Sequence, residues 1–123
     1  MLLRKSEIQN LKGTLCDDDP RIIELVKKIF PGIICFSDVR SAIQFLETSN
    51  GIHFAVFDIN YSISSKRFYQ LSQDDHQKIL QIFEKKGVEY FYTSAARRSS
   101  ADFPLLKNRF IPKGKLEEWF KNL

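Results

Sequence analysis

The feature that most constrains this chain is the alternation of short apolar runs with longer amphipathic segments along its 123 residues. Five of the short runs have strand character, and they read KGTLC, IICF, HFAVF, VEYFY and RFIP. The segments between them carry apolar residues three and four positions apart, which is the spacing of one helix face. Strands that alternate with helices predict an open α/β domain with a doubly wound, mainly parallel sheet. We expect the strand order 2-1-3-4-5.

Residues that start and stop helices mark the segments between these strands. Pro20 suits the first turn of a helix, and one of the aspartates before it is expected to cap that helix. Ser37 or Asp38 is expected to cap the next helix. The predicted helices are 20–30, Val39–Thr48, Gln73–Lys86 and Lys115–Asn122. No regular element is predicted between Asp58 and Gln73, and the segment from Arg97 to Lys107 is predicted to be short and irregular.

Length and composition predict one domain over residues 1–123, with residues 1–10 as an N-terminal extension. The chain is 43% hydrophobic and 28% charged, the profile of a globular protein rather than a disordered one. No apolar run approaches the roughly 18 to 20 residues of a membrane span, and Met1 to Asn10 lacks the features of a signal peptide. We therefore expect a cytoplasmic protein without membrane association. The net charge of +4 is modest and scattered, so nucleic acid is not an expected partner.

Cysteine and histidine residues give no sign of a zinc site or a disulfide framework. Cys16 and Cys35 fall in apolar strands, so buried, reduced thiols are favoured over a disulfide. His53 opens a strand and His76 falls on the polar face of a predicted helix, and neither has a partner at zinc spacing. Both histidines are therefore interpreted as structural.

Polar residues follow the strands where chemistry is expected in such a fold. The stretch LCDDDP ends the first strand with Asp17, Asp18 and Asp19, and the third strand ends on Asp58. The fourth strand ends in a hydroxyl, Thr93 or Ser94, and the fifth in Lys113, the last member of this set. Carboxyl ends of parallel strands meet at one sheet edge, so we expect these groups to converge. Clustered carboxylates favour Mg²⁺.

Four stretches carry a resemblance to a known family, and they read LCDDDPRIIELVKKIF, FAVFDIN, FYTSA and FIPKG. In this order and at these spacings they resemble the receiver domain of bacterial two-component response regulators, of the chemotaxis-regulator type. The resemblance covers nearly the whole chain. It implies a flavodoxin-like receiver fold and a phosphoprotein in a phosphorelay, with Mg²⁺ as cofactor.

The resemblance also implies a role for each acidic residue. Asp58 would be the nucleophile and the phosphorylated residue. Asp17 and Asp18 would form the acidic pair that binds Mg²⁺ together with Asp58, with Asp18 as the direct ligand and Asp17 acting through water. Asn60, two residues after Asp58, would supply its backbone carbonyl to the metal.

The remaining site residues would bind the phosphoryl group and carry the switch. Thr93 is favoured over Ser94 as the hydroxyl that follows the phosphoryl group, and Lys113 would pair with it. Phe110 occupies the place of the family's switching aromatic residue. The basic residues Arg97, Arg98, Lys107 and Arg109 would form a face for partner binding.

These roles describe a stand-alone receiver that is not an enzyme beyond autophosphatase activity. The implied partners are a sensor histidine kinase or phosphotransfer protein, a downstream protein target and a second copy in a homodimer. A pseudo-receiver that binds partners constitutively is the alternative, because the loop after Asp58 is unusual, with Ser62 where the family has proline, and because the fourth helix is predicted to be short or missing between Ala96 and Lys107. A Mg²⁺-dependent phosphatase is a third class, but Asn60 stands where it would need an aspartate.

Overall fold

A computed structural model describes residues 11–58, 74–94 and 109–123, together with the backbone of 60–64, 67–70 and 73. The chain forms a five-stranded parallel sheet with helices on both faces. The strands of this sheet are β1 (Gly13–Cys16), β2 (Ile34–Phe36), β3 (Phe54–Asp58), β6 (Glu89–Ser94) and β7 (Phe110–Pro112). Their order is β2-β1-β3-β6-β7. This is the flavodoxin-like arrangement with strand order 2-1-3-4-5, so the predicted fold class is confirmed.

The helices begin close to where the sequence places their caps. They are α1 (Pro20–Ile29), α2 (Val39–Thr48), α3 (Gln73–Lys86) and α4 (Leu116–Lys121). The Asp19 side chain accepts a hydrogen bond from the Arg21 N–H at the start of α1, and Asp38 accepts one from the Ser41 N–H at the start of α2. These bonds satisfy amide groups that have no partner inside the helix. A short 3₁₀ turn, Lys113–Lys115, precedes α4, which is therefore shorter than predicted.

The connection after Asp58 contains a β-hairpin that the sequence analysis did not predict. Strand β4 (Asn60–Ser64) pairs antiparallel with β5 (Arg67–Gln70), and a register irregularity falls between Ser62 and Ser64. The two strands form a sheet of their own. Alternating aromatic and β-branched residues in this segment suit a strand, but the residues between the two strands lack the glycine or asparagine that usually marks a tight hairpin.

The sheet separates two hydrophobic cores. On one face, Leu15, Val56 and Phe91 pack against α1 and α4. On the other face, Phe57 and Tyr92 pack against α2 and α3. Successive residues of a strand point to opposite faces, so residues two positions apart on one strand belong to the same core. This alternation also decides on which face each polar residue at a strand end lies.

The structure also tests the predicted burial of the two cysteines, and it shows the surroundings of Arg109. Cys16 is buried as predicted, but Cys35 is only half-buried, because β2 is an edge strand; both are free thiols. The charge of Arg109, expected as part of a basic face, is paired within the chain. Its guanidinium donates to a Glu89 carboxylate oxygen at 2.6 Å and lies over the ring of Tyr90.

Some expectations lie outside the described residues, namely the N-terminal extension 1–10 and the irregular segment 97–107. In the described part of the chain, no helix has the length and apolar character that crossing a membrane requires.

Candidate functional site

Two neighbouring strands bring the acidic residues to the same edge of the sheet. Cys16 and Phe57 are register partners on β1 and β3, so the residues that follow them, Asp17 and Asp58, lie side by side. The Asp17 N–H donates to the carbonyl of Phe36 at 2.9 Å, which extends the pairing of β1 and β2 by one residue. The backbone therefore fixes both aspartates at the carboxyl ends of adjacent strands, as the sequence predicts.

Asp17, Asp18 and Asp58 form a compact cluster of carboxylates. Each offers one ligand atom, and these atoms lie within 4.8 Å of one another. Asp17 is 1% exposed and Asp58 is 3% exposed, whereas Asp18 is half-buried. Carboxylate oxygens are the hard donors that Mg²⁺ requires, and Mg²⁺ commonly retains several waters besides one or two carboxylates. The three residues therefore fit a divalent cation.

Lys113 links the two buried carboxylates of the cluster. Its Nζ lies 2.7 Å from Oδ2 of Asp17 and donates a hydrogen bond to Oδ2 of Asp58 at 2.8 Å. The lysine itself is largely buried, with 14% of its side chain exposed. One ammonium thus contacts both carboxylates and reduces their mutual repulsion in a site poorly solvated by water.

Burial and neighbouring charges shift the pKa values of Asp17 and Lys113. Burial raises the pKa of the Asp17 carboxyl, although Lys113 and the Asp19 N–H both act to lower it. Burial lowers the pKa of Lys113, but hydrogen bonds and charge from Asp17 and Asp58 outweigh it, so the net pKa is raised. Lys113 therefore remains charged, and Asp17 ionises with more difficulty than an exposed carboxyl group.

Thr93 lies beside the acidic cluster, and its hydroxyl is buried. It is the register partner of Asp58 on β6, and both belong with the strand positions that face α1 and α4. Its Oγ1 is fully buried and has no hydrogen-bond partner among the residues that the structure describes. Ser94 follows on the same strand and so points to the opposite face. The geometry therefore brings Thr93, rather than Ser94, to Asp58.

The other two predicted site residues are placed by the backbone. Asn60 is the first residue of β4, two positions after Asp58, and nothing is described of its side chain. Phe110 is half-buried at the start of β7, where it is the register partner of Tyr92 and packs against the core shared with α2 and α3. Phe110 thus lies three positions before Lys113 but on a different face from the carboxylates.

One polar contact near the site was missed by the sequence analysis. The Nδ1 of His76 on α3 lies 2.7 Å from the hydroxyl oxygen of Tyr92, the residue before Thr93. His76 is therefore half-buried against β6 rather than on a purely polar helix face, and burial lowers the pKa of its imidazole. Helical spacing alone gave no signal for this contact, because it depends on the length of the tyrosine side chain.

Comparisons with known proteins show the fold alone. No protein-family model and no curated protein matches this chain. An uncharacterized protein from Neptuniibacter caesariensis has a similar solved structure, with a TM-score of 0.61, 17% identity, and coverage of 90% of this chain and 82% of that one. A second similar structure is a yeast Spc42 trimeric coiled-coil segment fused to another structure, with a TM-score of 0.63 and 12% identity. That match covers 91% of this chain and 71% of the other.

Proposed function

We propose that this chain is a stand-alone receiver domain of two-component signalling that accepts a phosphoryl group on Asp58. The observation that carries the proposal is the grouping of three carboxylates, the Lys113 ammonium and the buried Thr93 hydroxyl, which has no partner among the described residues, at one sheet edge. A sheet of this class binds its ligands at that edge.

The reaction is a transfer of one phosphoryl group to the Asp58 carboxylate. A carboxylate oxygen of Asp58 attacks phosphorus, an acyl phosphate forms, and the bond from phosphorus to the donor's nitrogen or oxygen breaks with its electron pair. The donor atom leaves with those electrons and takes up a proton. Such transfers depend on positioning and on neutralising the charge of the equatorial oxygens.

The residues around Asp58 fit this requirement. Mg²⁺ bound by Asp17, Asp18 and Asp58, with the Asn60 carbonyl, would neutralise charge on the phosphoryl oxygens. The Lys113 ammonium already contacts Asp58 and would pair with a phosphoryl oxygen. The Thr93 hydroxyl would donate a hydrogen bond to another phosphoryl oxygen, which would satisfy a buried group that has no partner in the described part of the chain.

A pseudo-receiver remains the second candidate, and a specific observation favours it. The hairpin of β4 and β5 begins two residues after Asp58, in a connection that the resembled family fills differently. In addition, Lys113 pairs with both Asp17 and Asp58, as a lysine with a structural role would. A chain of this kind would bind its protein partner constitutively through the same fold.

Intact-mass measurement after incubation with acetyl phosphate and Mg²⁺ tests the proposal. We expect the wild-type chain to gain the mass of one phosphoryl group, and Asp58→Asn to gain none. Glu118→Gln, which removes an exposed carboxylate from α4, is the matched control and should be modified like the wild type. An unmodified wild-type chain, under conditions that phosphorylate a known receiver domain, would leave the pseudo-receiver as the better account.

A Mg²⁺ titration tests the metal ligands separately. We expect Asp18→Asn to weaken Mg²⁺ binding by about tenfold or more, since one of three clustered carboxylates is removed. Glu118→Gln again serves as the control and should bind like the wild type. Equal affinity of Asp18→Asn and wild type would remove Asp18 from the ligand set.

A further inference from the structure

A row of three aromatic residues lies directly behind the acidic site. Phe57 and Tyr92 are register partners on β3 and β6, and Tyr92 and Phe110 are register partners on β6 and β7. Phe57 precedes Asp58 and Tyr92 precedes Thr93, so each site residue has an aromatic neighbour on the opposite face of its strand. All three rings belong to the core that packs against α2 and α3.

Tyr92 is the centre of this row and its polar member. It is fully buried, its ring centroid lies 6.2 Å from that of Phe57, and it contacts Tyr90 edge-on at 5.6 Å. Its hydroxyl and Nδ1 of His76 lie 2.7 Å apart, and the two rings are 5.6 Å apart between centroids. His76 belongs to the first half of α3. The middle of β6 is thus joined to α3 by a short hydrogen bond in an otherwise apolar layer.

Movement at Thr93 would reach this hydrogen bond through the backbone. Thr93 and Tyr92 share a peptide bond, and close packing in the core leaves the Tyr92 ring little free space to absorb a displacement of its Cα. A hydrogen bond is sensitive to small changes of distance and angle. A displacement of Thr93 would therefore move the Tyr92 hydroxyl, at the far end of the ring, and change its distance to His76 on α3.

We propose that His76 is a positioning residue of the acidic site, and that its hydrogen bond with Tyr92 couples occupancy at Asp58 to the position of α3. This inference rests on the proposed function, because it takes a phosphoryl group on Asp58 as the event that draws Thr93 inward. The inference predicts that α3, which packs on the face of the sheet opposite to the carboxylates, changes position when Asp58 is occupied. A purely structural role predicts the same hydrogen bond in the empty and the occupied site.

The chain supplies its own control for this test, because it contains two histidines. The Nδ1 of His53 accepts a hydrogen bond from the Lys12 N–H, just before β3 begins. His53 and Asp58 therefore lie at opposite ends of β3, roughly 16 Å apart at about 3.3 Å per residue. Imidazole resonances of the two histidines are measured at pH 8, where burial of His76 keeps it neutral, with Mg²⁺ alone and after addition of beryllofluoride.

We expect beryllofluoride to shift the His76 resonances and leave those of His53 in place. In Tyr92→Phe, which keeps the ring and removes the hydroxyl, the His76 shift should fall several-fold although the mimic still binds. Bound mimic, observed by fluorine resonance, without a His76 shift in the wild type would overturn this inference and leave the proposed function intact. Absence of bound mimic in the wild type would overturn the proposed function and this inference together.

If Tyr92→Phe fails to fold, the wild-type comparison of His76 with His53 decides the question by itself. A folded Tyr92→Phe variant with the full wild-type shift at His76 would also overturn the inference. That result would mean that the hydrogen bond between Tyr92 and His76 does not couple α3 to the site.

Discussion

The ammonium of Lys113 donates a hydrogen bond to Oδ2 of Asp58 at 2.8 Å, although 55 positions separate the two residues in the chain. The same ammonium lies 2.7 Å from Oδ2 of Asp17, so contacts of one cation join the carboxyl ends of β1, β3 and β7. The site is therefore also a cross-link between the start and the end of the described chain. Its charges act on the fold as well as on any ligand.

Replacement of Lys113 by methionine should destabilise the protein at neutral pH. The substitution leaves the buried Asp17 and Asp58 without their cation, and breaking a buried pair in this way typically costs about 3–5 kcal/mol. Urea unfolding at pH 7 measures the loss. Lys115→Met, an exposed lysine two residues away, is the matched control and should cost well under 1 kcal/mol.

A second variant identifies the cause of that loss. Asp58→Asn placed in the Lys113→Met background removes one of the two uncompensated charges and should recover part of the stability. Added Mg²⁺ should also stabilise Lys113→Met more than the wild type, because it supplies the missing positive charge. A double variant as unstable as Lys113→Met alone would mean that lost packing, rather than charge, explains the effect.

The raised pKa of Asp17 predicts a pH dependence of stability. Because burial raises this pKa in the folded state, the folded protein retains a proton that the unfolded chain releases. The contribution of Asp17 to the free energy of unfolding is therefore full below its ordinary pKa and is lost as pH rises through the folded value. Asp17→Asn cannot titrate, so its Tm relative to wild type should rise by a few degrees between pH 4 and pH 7. Thermal melts that show the opposite trend would contradict this sign.

Gly13 on β1 should not tolerate a side chain. A Cβ at this position would overlap the ring of Phe54 on the neighbouring strand, in the core next to α1 and α4. Overpacking of this kind typically costs about 1–3 kcal/mol, so Gly13→Ala should lower the free energy of unfolding by that amount. Gly32→Ala, where a Cβ meets nothing within 4 Å, should be close to neutral. Phe54→Leu in the Gly13→Ala background should cost less than the two single effects combined.

Lys86 should stabilise the contact between the C-terminal ends of α2 and α3. Its Nζ donates to the carbonyl oxygens of Leu46, Glu47 and Ser49 at 3.1, 2.6 and 2.8 Å. Carbonyl groups at a helix end lack intrahelical partners, so a cation there is favourable. Lys86→Met should cost about 1–2 kcal/mol in denaturant unfolding. Lys85→Met, its exposed neighbour on α3, should change stability little, and equal losses in the two variants would contradict this role.

The sheet order and the acidic cluster could be predicted from the sequence because both follow from repeated local signals. Each parallel strand read as a short apolar run, and the polar residue after it had to lie at the carboxyl edge. Asp17, Asp58 and Lys113 therefore could be placed together although they are far apart in the chain. The half-burial of Cys35 follows from β2 being an edge strand, which composition does not reveal.

The hairpin and the His76 contact could not be predicted in the same way. The strands β4 and β5 lack the usual turn residues between them, so the sequence predicts only a long connection there. The bond between His76 and Tyr92 depends on how far α3 lies from β6 and on the reach of a tyrosine ring. Such distances are set by tertiary packing rather than by periodicity.

The position of Lys113 after the last strand also bears on synthesis of the protein. Translation produces Asp17 and Asp58 before it produces the lysine that neutralises them, and β7 pairs with β6 at the edge of the sheet. A nascent chain that ends before Phe110 would have to bury two carboxylates without a cation, which is costly. Closure of the sheet should therefore wait until the segment carrying Lys113 is available, so that the edge carrying the acidic cluster is the last part of the sheet to form.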